Sequence, residues 1–313
     1  MSTTAEPATE FLEIPRADGS TGRIAYDDRG TGPVALLAPG MGDVRATFRF
    51  LTPLLLAAGY RVVTTDYRGM GESNTGWDQY SSEATGQDLA ALIRHLDAGP
   101  VLLYGNSYTA ASAVHVAADD PELLRGVVLA GPFVRDAPAT LVGRIATFLI
   151  ARPSLTRAVW LGWWPNMFPT RPADYAEHLA AVKANLKEPG RTKAYARMCA
   201  GTHAPAEAKL PQARRSGVPM LVVMGTADKD FPDATAEANW VGEQLGAPVE
   251  LLEGSGHHPQ VDAPEQVRDL ILSLDPQSPT SGTRTGATST GSTTTGTTTT
   301  GSTTTGTTST TAK

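Results

Sequence analysis

The most informative stretch of this sequence is VLLYGNSYTAASAV, residues 101–114. Large apolar residues end at Tyr104, the short turn Gly105-Asn106-Ser107 follows, and small residues typical of a closely packed helix continue from it. A serine on such a tight turn from strand to helix is held in a strained conformation with its hydroxyl exposed. The helix amino terminus adds backbone N–H groups and positive potential. The pattern therefore indicates Ser107 as a nucleophile, the alternative being a serine that only caps the helix.

A histidine follows another predicted strand, in VELLEGSGHHPQVDAPEQV, residues 249–267. His257 lies in the loop beyond this strand, and a pKa of about 6.5 lets an unperturbed histidine take and return a proton at neutral pH. The adjacent His258 is the alternative, and we expect its side chain to point elsewhere. We interpret Asp262 and Glu265 as a capping pair that opens the last helix.

A carboxylate follows a third predicted strand, in VPMLVVMGTADKDFPD, residues 218–233. Asp228 comes directly after the turn that ends this strand. It is predicted to orient His257 and to stabilise the charged form of its ring. Asp230 and Asp233 are the alternatives, and Asp233 also has a simpler role as the cap of the next helix.

These three polar residues are far apart in the sequence, yet each follows a predicted strand. The carboxyl ends of parallel strands meet at one edge of a sheet, where open α/β folds place their ligands. We therefore predict that Ser107, Asp228 and His257 converge there as a catalytic triad in that chain order.

Short apolar runs alternate with helical patterns along most of the chain. Such runs, rich in Val and Leu, suit strands buried on both faces of a parallel sheet. The predicted strands are Val34–Ala38, Arg61–Thr65, Val101–Tyr104, Gly126–Ala130, Met220–Met224 and Val249–Leu252, with an antiparallel pair at Phe11–Ile14 and Gly22–Tyr26. The predicted helices are Ser82 to Leu96, Asp233 to Leu245, Ala263 to Leu274 and one capped by Thr52 before Pro53. This alternation predicts an α/β fold with a mostly parallel, doubly wound sheet.

The alternation stops in the middle of the chain and again at its end. We predict a core in two parts, residues 1–133 and 217–276, with a helical cap over one end of the sheet formed by residues 134–216. Residues 277–313 are almost wholly Thr, Gly and Ser. Because they have no large apolar side chain to offset the conformational entropy of folding, we expect a disordered tail.

With these residues in place, the chain resembles the α/β-hydrolase fold family over about residues 10–275. The resemblance also rests on DYRGMGES, residues 66–73, and on PGMG, residues 39–42, where members often carry His-Gly. In this family two backbone N–H groups form the oxyanion hole, and the resemblance assigns them to Met41 and Tyr108. It also implies that residues 134–216 are the family's cap. Pro39 and Thr109 depart from the family's histidine and glycine.

The residues and the resemblance together predict a serine hydrolase that acts through an acyl-enzyme on a small, hydrophobic ester, as a carboxylesterase does. Lactonase, C–C bond hydrolase and perhydrolase chemistry on the same fold stay open, as does a non-catalytic receptor that binds a small ligand in the same pocket. Aromatic side chains of the cap either line an apolar substrate pocket or pack the cap's own core. The candidates for this pocket are Trp160, Trp163 and Trp164.

Composition argues against several other classes of protein. The 313 residues include 26 Lys+Arg and 32 Asp+Glu, a formal net charge of −6, so no cationic surface indicates a nucleic acid partner. The single cysteine, Cys199, excludes an internal disulfide framework and a Cys-rich metal site. We expect neither a metal nor a cofactor, and the only partner predicted is a small-molecule substrate. The sequence does not indicate an oligomeric state.

Local patterns in the sequence argue against a nucleotide-binding turn and against a membrane span. Gly40-Met41-Gly42 followed by Asp66 resembles a nucleotide-binding turn, but Arg45 occupies its third glycine position. No run approaches the about 20 apolar residues that span a bilayer, and the first residues lack the pattern of a secretory signal. We therefore expect a cytoplasmic protein without membrane insertion.

Overall fold

Eight strands form one sheet in the computed structural model, which describes residues 8–136, 145 and 148–279. The strands are β1 (Glu10–Pro15), β2 (Thr21–Arg29), β3 (Val34–Ala38), β4 (Arg61–Thr65), β5 (Val101–Asn106), β6 (Leu124–Ala130), β7 (Met220–Gly225) and β8 (Val249–Leu252). Their order across the sheet is β1-β2-β4-β3-β5-β6-β7-β8. β2 pairs antiparallel with β1 and with β4, and every other pairing is parallel. The predicted mostly parallel sheet is confirmed.

The central strands β3, β5, β6 and β7 are buried along their whole length. Successive side chains of a strand point to opposite faces, so both faces of the sheet must be covered. Two apolar clusters cover them. One includes Leu36 and Leu103, and the other includes Leu37 and Leu102.

The helices of the described residues lie mostly where the sequence predicts them. They are α1 (Leu51–Ala57), α2 (Ser82–Leu96), α3 (Tyr108–Asp119), α4 (Pro153–Trp163), α5 (Tyr175–Asn185), α6 (Arg191–Cys199), α7 (Ala204–Arg215), α8 (Ala234–Leu245), α9 (Pro259–Asp262) and α10 (Pro264–Leu274). Asp233 caps α8 through a bond from the backbone N–H of Ala236, as predicted. The predicted cap at Thr52 is wrong, because the 3₁₀ turn Arg45–Arg49 leads into α1 and Phe50 takes the cap position.

In the described part of the chain, the helices α4 to α7 lie between β6 and β7, in the segment predicted as a cap. The last of them, α7, packs along α3 of the core. Lys209 of α7 pairs with Asp119, and Gln212 donates to the carbonyl of Ala118. Residues 137–144 and 146–147 of the predicted cap lie outside the described residues.

The structure describes only the first residues of the predicted tail, 277–279. The backbone N–H groups of Gln277 and Ser278 both donate to Asp275, so these two residues are bonded to the end of the core. The other residues of the predicted tail, 280–313, lie outside the described part of the chain. Within that part, no helix is both long enough and apolar enough to cross a membrane.

A buried ion pair joins β6 to the end of α10. Arg125 donates from Nε to both carboxylate oxygens of Asp275 at 2.9 Å, and its other nitrogens donate to the carbonyls of Pro100 and Val34. Tyr60 also donates to Asp275. The pair is almost inaccessible to solvent, with side-chain exposures of 5% and 0%. Every nitrogen of the guanidinium is therefore satisfied inside the protein.

Removing the carboxylate of this pair should destabilise the fold strongly. Asp275→Ala leaves a buried guanidinium without its counter-charge, which typically costs about 3–5 kcal/mol of unfolding free energy. The matched control is Asp269→Ala, which removes an exposed carboxylate paired with Arg268 and should cost about 1 kcal/mol or less. Urea denaturation followed by circular dichroism measures both. Equal losses for the two variants would contradict the expectation.

Candidate active site

Ser107 lies at the sharp turn between β5 and α3. Its φ of 57° and ψ of −118° are strained for a residue with a side chain, and Asp97 is the only other non-glycine residue of the described chain with positive φ. The Ser107 N–H donates to the carbonyl of Ala130 at 2.8 Å. A Cβ added at Gly105 would lie 2.5 Å from the carbonyl oxygen of Thr109, so the turn requires glycine there. Contacts on both sides therefore hold this conformation.

Thr109 replaces the second glycine of the usual pattern and reinforces the turn. Its hydroxyl donates to the carbonyl of Ala38 at the end of β3, and it accepts the N–H of Asn106 at 3.0 Å. Asn106 in turn donates from Nδ2 to the carbonyls of Ala130 and His257. The departure from the pattern thus adds a link between the turn and the sheet.

His257 and Asp228 meet at the edge of the sheet where β7 and β8 end. The Nδ1 atom of His257 lies 2.7 Å from Oδ2 of Asp228, and both side chains are buried. Gly131, at φ 52°, lies beneath them, since an added Cβ would be 3.3 Å from the His257 ring. The prediction that Asp262 caps α10 is wrong. Its carboxylate accepts the N–H of Gly256 instead and so holds the loop that carries His257.

The sequence alternative Asp230 contacts the other nitrogen of the same ring. Its Oδ2 atom lies 3.4 Å from Nε2 of His257, while its backbone N–H donates to Asp228. Burial alone would lower the pKa of His257, but the carboxylates of Asp228 and Asp230 outweigh it and raise that pKa to about 9. The indole of Trp163 donates to Oδ1 of Asp230. Asp228, the predicted orienting residue, and Asp230, its alternative, thus contact opposite edges of the His257 ring.

The side chain of the second histidine, His258, has other partners, as expected, although its ring lies edge-on to that of His257 with the centroids 5.5 Å apart. Its ring stacks on Phe168 with the centroids 4.9 Å apart, and its Nδ1 faces Gln260. Burial lowers the pKa of His258 to about 3, so its ring is neutral.

Donor atoms of Asp228, Asp230 and His257 all lie within 4.8 Å of one another. Three such ligands could hold a metal ion. However, the hydrogen bond between His257 and Asp228, and the indole bond to Asp230, already engage one atom of each residue.

A cavity of about 550 Å³ opens over Ser107 and His257. Its walls are mainly aromatic and aliphatic, and they come from the core and from the helices between β6 and β7. The lining residues are Met41, Ser107, Tyr108, Phe133, Ile150, Val159, Trp160, Gly162, Trp163, Tyr195, Cys199, His203, Asp230 and His257. Burial raises the pKa of the Cys199 thiol to about 12, which keeps it neutral.

Two of the three predicted pocket tryptophans line this cavity, and the third does not. Trp160 and Trp163 are on its wall, whereas Trp164 is fully buried behind it. The Trp164 ring packs against Trp160, Phe168 and both His178 and His258. The prediction for Trp164 is corrected: its position at the start of a 3₁₀ turn directs it into the packing between cap and core.

Met41 and Tyr108, the predicted oxyanion residues, both line the cavity beside Ser107. The loop that carries Met41 is held by Tyr67, whose hydroxyl accepts the N–H of Gly42 at 2.6 Å and donates to the carbonyl of Gly40 at 3.1 Å. The role of Tyr67 was missed from the sequence, although it belongs to the quoted stretch of residues 66–73.

Comparison with known proteins agrees with this architecture. A sequence model of the alpha/beta hydrolase family matches residues 35–270, which is well over half of the chain. The protein belongs to the α/β-hydrolase family.

Relatives of this α/β-hydrolase carry several different activities in their names. The non-heme bromoperoxidase BpoC of Mycobacterium tuberculosis is 38% identical over 107 residues, which are 34% of this chain and 40% of BpoC. The chain thus aligns with less than half of that relative's length. A 2-(acetamidomethylene)succinate hydrolase of Mesorhizobium japonicum is 27% identical and aligns over 88% of this chain and 99% of its own.

Solved structures show the same fold at low sequence identity. A bromoperoxidase from Bacillus anthracis superposes with a TM-score of 0.71 at 20% identity, covering 85% of this chain and 99% of its own. An esterase from Exiguobacterium antarcticum gives a TM-score of 0.70 at 21% identity, covering 83% and 97%. These likenesses show the fold of the α/β-hydrolase and not its substrate.

The two carboxylates should make His257 an unusually basic histidine. In a titration followed by NMR of the imidazole nitrogens, we expect His257 to lose its proton at a pH of about 9. Asp228→Asn removes the charge at Nδ1 with little change in shape and should lower this pKa by more than one unit, as the loss of a close counter-charge does. A His257 that titrates at about 6.5 in the unaltered protein would contradict this account.

Proposed function

We propose that this α/β-hydrolase is a serine hydrolase that cleaves small, hydrophobic esters through an acyl-enzyme, as a carboxylesterase does. The observation that carries the proposal is the strained turn at Ser107, which faces the same cavity as the His257–Asp228 pair. A nucleophile, a base and a residue that orients the base are the three parts that acyl transfer requires. We also propose that the protein acts in the cytoplasm and without a nucleic acid partner.

In the first step the Ser107 hydroxyl attacks the ester carbonyl while Nε2 of the unprotonated form of His257 takes its proton, so the rate should rise with pH toward the pKa of about 9. Asp228 holds the ring through Nδ1 and stabilises the imidazolium that forms. The N–H groups of Met41 and Tyr108 donate to the oxyanion, and Tyr108 is suited to this because the first N–H of a helix has no partner within the helix.

Collapse of this intermediate breaks the ester bond and leaves the acyl group on Ser107. The leaving alcohol takes the proton back from Nε2 of His257. Water, deprotonated by the same nitrogen, then attacks the acyl-enzyme and releases the acid, and the proton returns to Ser107. The apolar walls of the cavity favour a hydrophobic substrate, since such sites are mostly apolar with few polar groups.

Loss of the nucleophile tests the proposal directly. Ser107→Ala should reduce hydrolysis of a p-nitrophenyl ester series, acetate to decanoate, by about 10³-fold or more, because the covalent route is lost. The matched control is Ser112→Ala on the same helix, which removes a buried hydroxyl that has no hydrogen-bond partner among the described residues. Release of p-nitrophenol is followed at equal protein concentration, with circular dichroism as the check on folding.

Each outcome of this comparison has a clear meaning. A loss in Ser107→Ala with full activity in Ser112→Ala supports Ser107 as nucleophile. Equal activity in all three proteins would remove Ser107 from the mechanism. No hydrolysis of any ester by the unaltered protein would overturn the ester proposal in favour of the lactone, C–C bond or receptor alternatives.

The aromatic wall should set the length of the acyl chain that is accepted. Trp163 is 42% exposed, so Trp163→Ala widens the cavity without opening a void in the core. We expect kcat/KM for decanoate relative to butyrate to rise about tenfold, because removing a ring makes room for several methylene groups. Leu155→Ala, an exposed change on the same helix away from the cavity, should leave the ratio unchanged. An unchanged ratio in Trp163→Ala would exclude Trp163 as a specificity residue.

A further inference from the structure

One buried carboxylate in the cavity has no part in the mechanism above. Asp230 lies on the cavity wall with its side chain only 12% exposed. The acyl-transfer mechanism uses one orienting carboxylate, and Asp228 already occupies Nδ1 of His257. Burying a second carboxylate in an apolar cavity is unfavourable unless it has partners. We therefore infer the function of Asp230 from the groups that its side chain contacts.

Two hydrogen bonds to groups that do not react with substrate hold Asp230 in place. Its backbone N–H donates to Asp228, and the indole of Trp163 donates to its Oδ1 atom. Its Oδ2 atom is left facing Nε2 of His257 at 3.4 Å. Nε2 is the atom that returns the proton to the leaving group. Oδ2 thus lies beside the place where the leaving group departs.

The charges around the cavity favour a cation at this position. Among the described residues that line it, none is Lys or Arg. The ionisable ones are Asp230, His257 and His203, together with Cys199, Tyr108 and Tyr195, which burial keeps neutral. His203 is itself paired with the carboxylate of Asp136. Even with His257 protonated, its one positive charge faces two carboxylates. An anionic substrate group would be repelled here, and a cationic one would be attracted.

The walls of the cavity suit a cation as well. Trp160, Trp163, Tyr195 and Phe133 all line it. The faces of such rings attract cations, and aromatic walls combined with a carboxylate are a common way to bind alkylammonium groups. Trp163 contributes twice, because the same indole that borders the cavity also fixes Asp230.

We propose that Asp230 and these aromatic walls select esters whose leaving group carries an alkylammonium cation close to the ester oxygen. This inference rests on the proposed serine hydrolase function and names its substrate class. The carboxylate contacts the cation of the leaving group, and Asp230 is thereby a specificity residue, while Ser107 and His257 carry out the acyl transfer.

A pair of isosteric thioesters tests this selection. Butyrylthiocholine carries a trimethylammonium group, and S-(3,3-dimethylbutyl) thiobutyrate carries a neutral tert-butyl group of the same shape in its place. Release of thiol is followed with a chromogenic disulfide at about pH 8. We expect kcat/KM to favour the cationic thioester by about tenfold or more in the unaltered protein, as the loss of a buried charge contact costs at least this much.

The variant Asp230→Asn should bring this ratio close to one while keeping the shape of the side chain. The ratio is the informative quantity, because a change in the basicity of His257 affects both thioesters alike. Asp233→Asn is the matched control, since it removes the same charge three residues away at an exposed helix cap that asparagine can also serve. It should leave the ratio unchanged.

Other outcomes overturn the inference in distinguishable ways. A ratio near one in the unaltered protein would show that the cavity does not select cations. An equal change for both thioesters in Asp230→Asn would assign Asp230 to His257 instead of the substrate. Unchanged hydrolysis of the neutral thioester in Ser107→Ala would overturn the proposed function but not the selection for a cation.

A binding measurement covers the case in which neither thioester is hydrolysed. Pentyltrimethylammonium is titrated into the protein, and binding is followed through the fluorescence of the cavity tryptophans. We expect Asp230→Asn to weaken binding by about tenfold or more, with Asp233→Asn unchanged. Absence of binding to the unaltered protein, or equal binding to Asp230→Asn, would overturn the inference.

Discussion

The strained turn at Ser107 is the constraint on which the rest of the site depends. A residue with a side chain rarely combines φ 57° with ψ −118°, and it does so only where the surrounding structure holds it there. Here β5 is paired on both sides in the sheet, α3 is buried, and Gly105 lets the two meet without a clash. The turn places Ser107 and the first residue of α3, Tyr108, on the wall of the same cavity.

The second half of the site depends on contacts between the core and the helices that follow β6. Trp160 lies against Gly42, where an added Cβ would be 2.5 Å from its ring. Asn185 exchanges two hydrogen bonds with the backbone of Gly71, and His178 pairs with Asp43 at 2.8 Å. The contacts at Gly42 and Asp43 hold the loop that bears Met41 from the side of these helices, while Tyr67 holds it from the side of the core. The loop that bears Met41 and the helices that line the cavity are therefore packed together.

Two carboxylates two residues apart serve different atoms of one imidazole. In the turn after β7 the backbone N–H of Asp230 donates to the carboxylate of Asp228. The two carboxylates then contact opposite edges of the His257 ring. A common backbone turn thus sets both the basicity of the histidine and the charge of the cavity. In our proposals the first carboxylate serves the reaction, and the second serves the choice of substrate.

Local sequence determined the strands, the turn at Ser107 and the chain order of the three polar residues, because buried strands and tight turns require particular residues at short spacing. β3, β4 and β8 begin and end where the apolar runs predicted. Contacts between distant segments decided the rest. They bury Trp164 behind the cavity that Trp160 and Trp163 line, and they turn Asp230 toward Nε2. These two side chains could not be assigned from the sequence, since their orientation is set by partners tens of residues away, such as His258 and His257, whose positions exist only once the chain has folded. The carboxylate of Asp262 found a partner in the nearby loop of His257 instead of at a helix end.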